Sequence, residues 1–277
     1  MPNWVTNKLT IESDRLYTIQ RIKEFFGDLD FNKIIPMPPT LNIADGTVAN
    51  YAVLFYLYTT YRVGLLEAVS PIPQYIMRYP RIPLDNDNED TRGYSIVEQL
   101  MHLIGKPCDD ISYLWDPEYD TIKDGDLKCR GDVYELGKII FENIKIYNHP
   151  SWYRWRLDYW GTKWSANTRD WGNDWYKEFK DQDIYMIQYT FDTAWSMPYG
   201  IYNLFLARFG HTKSRINIQW ADEDIGYNLG WLKKDYNEFA TNLNMMTQVP
   251  IGKTQDDLNK YACMIKDYDY KEFCEDI

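Results

Sequence analysis

Residues 5–11 read VTNKLTI, and their alternation decides how the first part of the chain folds. Val5, Asn7, Leu9 and Ile11 fall on one side of an extended chain, and the residues between them fall on the other. A period of two residues, with most of the apolar side chains on one side, is typical of a β-strand that covers a hydrophobic core. The sequence therefore predicts a strand directly after the N-terminus.

A helix and a second strand are predicted next along the chain. Ser13 or Asp14 is the candidate N-cap, because these side chains accept a hydrogen bond from a backbone N–H at a helix start. The helix ends at Gly27. Its apolar positions follow helical spacing and are Leu16, Ile19, Ile22, Phe25 and Phe26. Residues 31–35 predict a short strand, which the following prolines terminate. The opening is thus interpreted as β-α-β.

Similar patterns return in the last third of the chain. Residues 184–191 alternate as a strand does, and Ser196 is the predicted N-cap of a helix that ends at Gly210. Residues 215–220 and 226–232 then predict a β-hairpin. Together with the opening, this order predicts an α+β fold, a ferredoxin-like antiparallel sheet with helices on one face.

The predicted domain organisation follows from the positions of these patterns. Residues 1–40 and 150–235 form a discontinuous ferredoxin-like α+β domain, residues 41–149 form a mostly helical insertion, and residues 236–277 form a helical C-terminal tail. Proline and acidic residues at 80–93 predict an exposed loop within the insertion. Helical patterns in the insertion lie at residues 48–61, 95–104 and 133–147.

Composition and charge restrict the class of protein. The 277 residues are 45% hydrophobic and 17% aromatic, which is ample for a packed core. A net charge of -11 disfavours general binding to nucleic-acid backbones and permits a basic protein partner. No window reaches the roughly 18 apolar residues of a membrane span, and no signal peptide is evident. We therefore expect a cytoplasmic protein without a membrane segment.

No cofactor and no catalytic residue are predicted. Glycine motifs that bind phosphates or dinucleotides are absent. The four cysteines lack the spacing of zinc ligands, and they are Cys108, Cys129, Cys263 and Cys274. The histidines His102, His149 and His211 lie far apart, without a serine, cysteine or aspartate arranged beside them as in a nucleophilic triad.

Residues 152–175 read WYRWRLDYWGTKWSANTRDWGNDW and contain six of the eleven tryptophans, interleaved with basic residues. Indole is costly to expose to water and stacks well, so the cluster is either a packed core or a recognition surface. If Trp160–Trp164 were a strand, Lys163 would lie opposite the two tryptophans and form an aromatic platform with a cation. That platform suits a nucleobase, a nucleotide signal or the arginine of a partner. The candidate interface residues are Trp155, Trp160, Lys163, Trp164, Arg169 and Trp195.

Carboxylates near the end of a predicted strand are the weak candidates for a metal site. Asp222 and Asp224 would share one side of the strand that ends at Trp220, and Asp192 could join them. Three carboxylates could bind Mg²⁺ or Ca²⁺, or two of them could act as an acid/base pair. The simpler interpretation is a solvated strand end, and no metal site is predicted.

Five stretches of sequence, in the same order, carry a resemblance to a known family. They are MPNWVTNKLTI (1–11), FNKIIPMP (31–38), WGTKW (160–164), TAWS (193–196) and WADEDIGYNLG (220–230). Together they resemble the YubB-like proteins of phages, conjugative plasmids and other mobile elements. The resemblance implies a ferredoxin-like α+β fold without an iron–sulfur cluster, and a gene of a mobile element that is active in the bacterial cytoplasm. It implies no transferable activity.

Three functions are compatible with the sequence. The first is a non-catalytic mobile-element protein that binds and blocks a host macromolecule, such as a bacterial defence component, through protein–protein interaction. The second is a binder that sequesters a nucleotide signal by stacking on Trp160 or Trp164, with Lys163 or Arg169 near the phosphates. The third is a metal-dependent phosphodiesterase built on Asp192, Asp222 and Asp224. The first is favoured by the mobile-element resemblance, the excess of acidic residues, the abundance of tyrosine and tryptophan, and the lack of catalytic motifs.

Overall fold

The structure is a computed structural model that describes residues 3–43 and 130–275, together with single positions between residues 45 and 60. The predicted loop at 80–93, the predicted helix at 95–104, and Cys108 and Cys129 lie outside the described residues.

The chain divides into two compact units. Unit 1 comprises residues 1–36 and 156–277, and unit 2 comprises residues 37–155. Within residues 3–43 and 130–275, the strands and α-helices in chain order are β1 (Trp4–Ser13), α1 (Leu16–Phe26), α2 (Phe31–Ile34), α3 (Arg130–Tyr147), α4 (Trp152–Tyr159), β2 (Tyr176–Asp181), β3 (Ile184–Ala194), α5 (Tyr199–Phe209), β4 (Arg215–Asp222), β5 (Gly230–Lys234), β6 (Thr247–Gln248), α6 (Gln255–Lys266) and α7 (Tyr270–Glu275).

Unit 1 is built on a six-stranded sheet in the order β2-β3-β1-β4-β5-β6, in which all neighbouring strands are antiparallel. The predicted α+β class with an antiparallel sheet is therefore confirmed. β1 lies between β3 and β4, with Leu9 opposite Tyr189 on one side and Ile218 on the other. Since β1 hydrogen-bonds on both edges, the alternation of residues 5–11 belongs to a central strand of the sheet.

The first face of the sheet, which carries Val5, Leu9 and Ile11, packs against α1 and α5. Phe26 of α1 connects these layers, because its ring lies 5.1 Å from that of Tyr189 and 5.0 Å from that of Phe205. Each fully buried side chain of this size stabilises the fold by roughly 1.5–3 kcal/mol. The large side chains of this core are completely buried and include Leu9, Ile11, Ile22, Phe26, Tyr189, Phe191, Tyr202 and Phe205.

The second face of the sheet is covered in part by α6, so helices pack on both faces and the prediction of helices on one face is wrong. Lys266 at the end of α6 donates to the Thr6 hydroxyl, and Lys8 donates to the carbonyl of Met264. Thr6 and Lys8 alternate with the core residues of β1 and therefore point to the opposite face. The predicted polar C-terminal tail thus contains an amphipathic helix. Its buried positions are Tyr261, Ala262, Cys263, Ile265 and Lys266.

The segment predicted as a strand at 31–35 is a short helix, α2. The Asp30 carboxylate accepts a hydrogen bond from the backbone N–H of Asn32 at 2.9 Å, and this cap starts a helical turn before the prolines end it. Phe31 is completely buried, which anchors the turn in the core. The opening β-α-β is therefore corrected to β-α-α.

The predicted N-caps are also wrong. Arg15, and not Ser13 or Asp14, occupies the N-cap of α1, without a side-chain cap hydrogen bond. The Ser13 hydroxyl accepts from the backbone N–H of Arg15 at 3.2 Å and donates to the carbonyl of Lys213. Pro198 precedes α5, and the Ser196 hydroxyl donates to the carbonyl of Gly161. Both serines connect segments that are distant in sequence. A cap pattern cannot distinguish these uses, because the same hydroxyl forms either bond.

Unit 2 has a hydrophobic cluster of its own. The described positions between residues 49 and 60 are helical, and α3 coincides with the helix predicted at 133–147. The buried residues of the cluster are Ala49, Ala52, Val53, Tyr56, Ile140, Phe141 and Ile144. In the described part of the chain, no helix combines the length and apolar character needed to cross a bilayer.

Candidate functional site

Three strands end or begin together at one end of the sheet. β1 begins at Trp4, β3 ends just before Trp195, and β4 ends at Asp222. The backbone N–H of Trp195 donates to the carbonyl of Asn3 at 2.8 Å, and that of Glu223 donates to the carbonyl of Trp4 at 2.9 Å. Residues from both ends of the sequence are thereby held beside each other.

A lysine lies among tryptophans at this end of the sheet. The Lys163 Nζ lies 4.8 Å from the ring centroid of Trp164 and 4.8 Å from that of Trp195. The rings of Trp4 and Trp164 are 5.7 Å apart and tilted by 42°. A cation within about 6 Å of an indole is attracted by the ring electrons. The three indoles and the ammonium group therefore form one contiguous aromatic–cation cluster.

Exposed aromatic side chains continue this cluster. Trp195 is 38% exposed, Tyr199 is 40% exposed and Tyr227 is 65% exposed. Tyr199 lies against Gly161, and the side chain of Asn228, next to Tyr227, donates to the carbonyl of Trp195 at 3.2 Å. We call this set the Trp195 surface, and its members are Trp4, Lys163, Trp164, Trp195, Tyr199 and Tyr227.

The backbone at Trp195 is strained. Its φ is +73°, in the left-handed region that glycine favours and that bulky residues rarely occupy. Holding a side chain there costs about 1–3 kcal/mol and persists only where surrounding contacts enforce it. Gly161 has φ +87°, and a Cβ at that position would lie 2.7 Å from the backbone nitrogen of Tyr199. Strain and close approach thus coincide in the two segments that carry the exposed rings.

Acidic residues border the Trp195 surface. Glu223 and Asp224 are exposed and follow β4 directly. The side chain of Asn3 donates to Asp224 Oδ2 at 3.0 Å, and that of Asn228 donates to Asp222 Oδ2 at 2.8 Å. Burial, followed by the nearby Asp158 carboxylate, raises the pKa of Tyr199. Exposed carboxylates therefore lie at the border of this surface, and the basic residue Lys266 interacts with Glu223 and Asp222.

A buried polar cluster lies on the second face of the sheet, two residues from the strand ends. Asp192 Oδ1 accepts from the Thr6 hydroxyl at 2.7 Å, and Oδ2 accepts from the indole N–H of Trp171 at 2.9 Å. Lys266 Nζ lies 3.2 Å from the same Thr6 hydroxyl. Burial raises the pKa of Asp192 against the effect of these hydrogen bonds, and burial lowers the pKa of Lys266.

This cluster holds the tryptophan-rich segment in place. Asn167 and Asp192 exchange two backbone hydrogen bonds of 2.8 and 2.9 Å, so the segment continues the edge of the sheet beyond β2. The Trp171 indole then folds back to the Asp192 carboxylate. Because Asp192 binds through both backbone and side chain, it fixes the path of the chain that follows Lys163.

The structure brings together only some of the predicted interface residues. Lys163, Trp164 and Trp195 form one cluster, as described above. Arg169 is exposed in a separate short helical turn, Arg169–Trp171. Trp155 is buried and belongs to unit 2.

Trp160 is part of the core, and the segment that contains it is not a strand. Its ring is 1% exposed and contacts Phe31 edge-to-face with centroids 6.1 Å apart. Its indole N–H donates to the carbonyl of Ile35 at 2.9 Å. Residues 160–164 form a turn and bends rather than an extended strand, so the expected alternation of Trp160 and Trp164 is wrong.

The three candidate carboxylates of a metal site are directed apart. Asp192 pairs with Thr6, whereas Asp222 pairs with Val5, so the two side chains start from opposite faces of the sheet. Asp222 Oδ1 accepts from the backbone N–H of Asp224 in a local turn, so these two residues do not share a strand face. Among the residues that the structure describes, no three histidine, cysteine or acidic side chains are grouped closely enough to bind one ion.

Several residues of the site were not among the predicted ones. Trp4, Tyr199 and Tyr227 complete the Trp195 surface, while Thr6 and Lys266 complete the buried cluster. The alternation of β1 places Trp4 and Thr6 on one face, and that signal was available in the sequence. The role of Lys266 was not, because a lysine at the end of a polar helix is usually exposed.

Comparison with known proteins does not assign the chain to a family. No family model matches the chain, and no curated protein matches it. A crystal structure of a protein api92 from Yersinia pseudotuberculosis, assigned to the family model DUF1281, is similar over 92% of this chain and 100% of that chain. The identity is 10% and the TM-score is 0.36, so this likeness contributes nothing to the functional argument.

Proposed function

We propose that this chain is a non-catalytic protein of a phage or other mobile element that binds and blocks a host macromolecule, acting against bacterial defence by protein–protein interaction. The observation that carries the proposal is the Trp195 surface, where exposed indole and phenol rings surround a strained backbone position. Tryptophan and tyrosine dominate the binding energy of protein interfaces, and clustered exposed aromatic side chains usually mark such sites.

The ferredoxin-like arrangement and the YubB-like resemblance belong to the same proposal. The arrangement is supported by the order β2-β3-β1-β4 within the sheet, with α1 between β1 and β2 and with α5 between β3 and β4. In this reading the second strand of the motif is β2, and the residues of unit 2 are inserted before it. The resemblance remains a prediction from the five quoted stretches of sequence.

The geometry supports the nucleotide-sequestering alternative less well. Trp160, one of its two stacking residues, is buried with its indole N–H already bonded. Trp164 is half-buried between Trp4 and Lys163, which leaves less ring area for a base. The phosphodiesterase alternative is supported less still, because Asp192 and Asp222 start from opposite faces of the sheet.

Affinity capture tests the proposal. The tagged full chain and its Trp195→Ala variant are incubated with lysate of a bacterial host, and captured proteins are quantified by mass spectrometry. Phe239→Ala is the matched control, because Phe239 is also an exposed aromatic residue, at 57%, and lies outside the Trp195 surface.

We expect the wild type and Phe239→Ala to capture one protein at near-stoichiometric yield. Trp195→Ala should capture at least about tenfold less of it, because loss of a central aromatic anchor costs about 2 kcal/mol or more of binding free energy. Capture that is equal for all three proteins, or absent for the wild type, would contradict the proposal. Circular dichroism of each variant checks that the fold is retained.

A further inference from the structure

The chain itself shows that the Trp195 surface accommodates a cation. Lys163 places its ammonium group at the same 4.8 Å distance from two indole rings. Trp195 keeps 38% of its surface exposed despite this contact. Part of Trp195 is therefore in contact with solvent.

The charges beside the Trp195 surface favour a cationic partner. Glu223 and Asp224 are exposed at its border. Lys163 belongs to the surface, and Lys266, which interacts with Glu223, is buried on the second face of the sheet. Asn3 binds Asp224 through its side chain and the Trp195 N–H through its carbonyl, so Asp224 is connected to the Trp195 backbone through a single residue. The backbone N–H of Glu223 donates to the carbonyl of Trp4, another member of this surface. The net charge of -11 also attracts positive partners over a longer range.

Among cationic groups, guanidinium fits this arrangement best. It is planar and weakly hydrated, so it can stack on an indole while its N–H groups reach a carboxylate on either side. Lysine offers a compact, strongly hydrated charge that does not stack. A nucleic acid presents the opposite charge and would be repelled by Glu223 and Asp224.

We infer that the Trp195 surface binds an arginine-bearing, cationic segment of a partner protein, with one guanidinium group stacked on Trp195 and its neighbours paired with Glu223 and Asp224. This inference rests on the proposed function and specifies the chemistry of the partner. Tyr199 and Tyr227 flank the stacked group and exclude water from it, as residues around an interface anchor do.

Short peptides test the inference without knowledge of the partner. Capped tetra-arginine, tetra-lysine and tetra-glutamate peptides are titrated into the full chain at low salt by calorimetry. The same titrations are made with Trp195→Ala and with the double variant Glu223→Gln/Asp224→Asn. The matched control is Asp181→Asn/Asp183→Asn, which removes the same charge from exposed positions of the β2–β3 hairpin.

We expect tetra-arginine to bind several-fold more tightly than tetra-lysine, and tetra-glutamate not to bind. Trp195→Ala should lower the affinity for tetra-arginine by about tenfold, and Glu223→Gln/Asp224→Asn should lower it by several-fold. The affinity of the hairpin control should stay within about twofold of the wild-type value. Salt at about 0.5 M should weaken binding strongly, because exposed charges are screened.

The inference is overturned if tetra-arginine binds no better than tetra-lysine, if Trp195→Ala binds it as the wild type does, or if sedimentation shows that a second copy of this chain occupies the surface. A partner captured through Trp195 that lacks arginine would also overturn it. In that last case the proposed function would stand, so the two failures are distinguishable.

Discussion

Thr6 and Asp192 lie opposite each other on β1 and β3, and the Thr6 hydroxyl donates a 2.7 Å hydrogen bond to Asp192 Oδ1. Lys266 donates to the same hydroxyl from α6. One small side chain therefore connects the centre of the sheet, the segment that carries the tryptophans and the C-terminal helix. The arrangement leads to two predictions on stability.

Thr6→Val should lower the free energy of unfolding by about 1–3 kcal/mol. Valine has nearly the shape of threonine but leaves both Asp192 Oδ1 and Lys266 Nζ buried without this hydrogen bond. Urea denaturation measures the loss. Thr10→Val, at a half-buried position on the same face of β1, is the control and should change stability by less than about 0.5 kcal/mol. Equal effects of the two substitutions would show that the buried bond contributes nothing specific.

The free energy of unfolding of the Asp192→Asn variant should rise relative to that of the wild type as the pH rises. The pKa of Asp192 is raised in the folded state, mainly by burial, so ionisation of this group reduces wild-type stability as pH rises through that pKa. Asparagine resembles the protonated carboxyl and does not titrate. Urea unfolding at about pH 3 and about pH 7 gives the difference between the two proteins at each pH. If the wild type instead becomes more stable relative to the variant as the pH rises, the attraction of the Asp192 carboxylate to Lys266 outweighs the effect of burial.

Gly161→Ala should destabilise the protein more than Gly172→Ala. Both glycines have positive φ, at +87° and +52°, so alanine is strained at either position. At Gly172 no atom lies within 4 Å of a new Cβ, whereas at Gly161 the Cβ would collide with Tyr199. The collision adds about 1–3 kcal/mol, measurable as a further fall in thermal midpoint. If both variants melt together, Tyr199 has moved aside without cost.

Trp195→Gly should be more stable than Trp195→Ala by about 1 kcal/mol, although glycine removes the larger side chain. Only glycine adopts a φ of +73° without strain. The matched control is Tyr227, whose φ is not positive: there the glycine variant should be less stable than the alanine variant by a few tenths of a kcal/mol or more. Chemical denaturation of the four variants decides the sign at each position. An alanine variant more stable than the glycine variant at both positions would contradict the strain argument.

The amino-acid sequence determined the local elements with a regular period. Residues 5–11 and 184–191 alternate, and both lie in long strands of the sheet. Residues 16–26 have helical spacing and form α1 over the same span. These predictions succeed because the period of the apolar residues indicates both the type of element and the side of it that is buried.

Irregular segments were predicted less well. Residues 31–35 have the composition of a strand, but an aspartate cap and the burial of one phenylalanine make them helical. Neither Ser13 nor Ser196 is the N-cap residue itself. The hydroxyls of both donate to carbonyls in distant segments, and that of Ser13 also accepts from the N–H of Arg15. In such short stretches the local preferences for helix and strand differ little in free energy, so contacts with distant parts of the chain decide which structure forms.

The tertiary structure alone decided which tryptophans are buried and which are exposed. Trp160 and Trp195 have the same side chain, yet one is enclosed in the core and the other forms the centre of a surface. The tertiary structure also places α6 on the second face of the sheet, which brings Lys266 within hydrogen-bond distance of Thr6. The physical reason is that exposure depends on how the strands order themselves in the sheet, and that order joins residues from opposite ends of the chain that no local pattern connects.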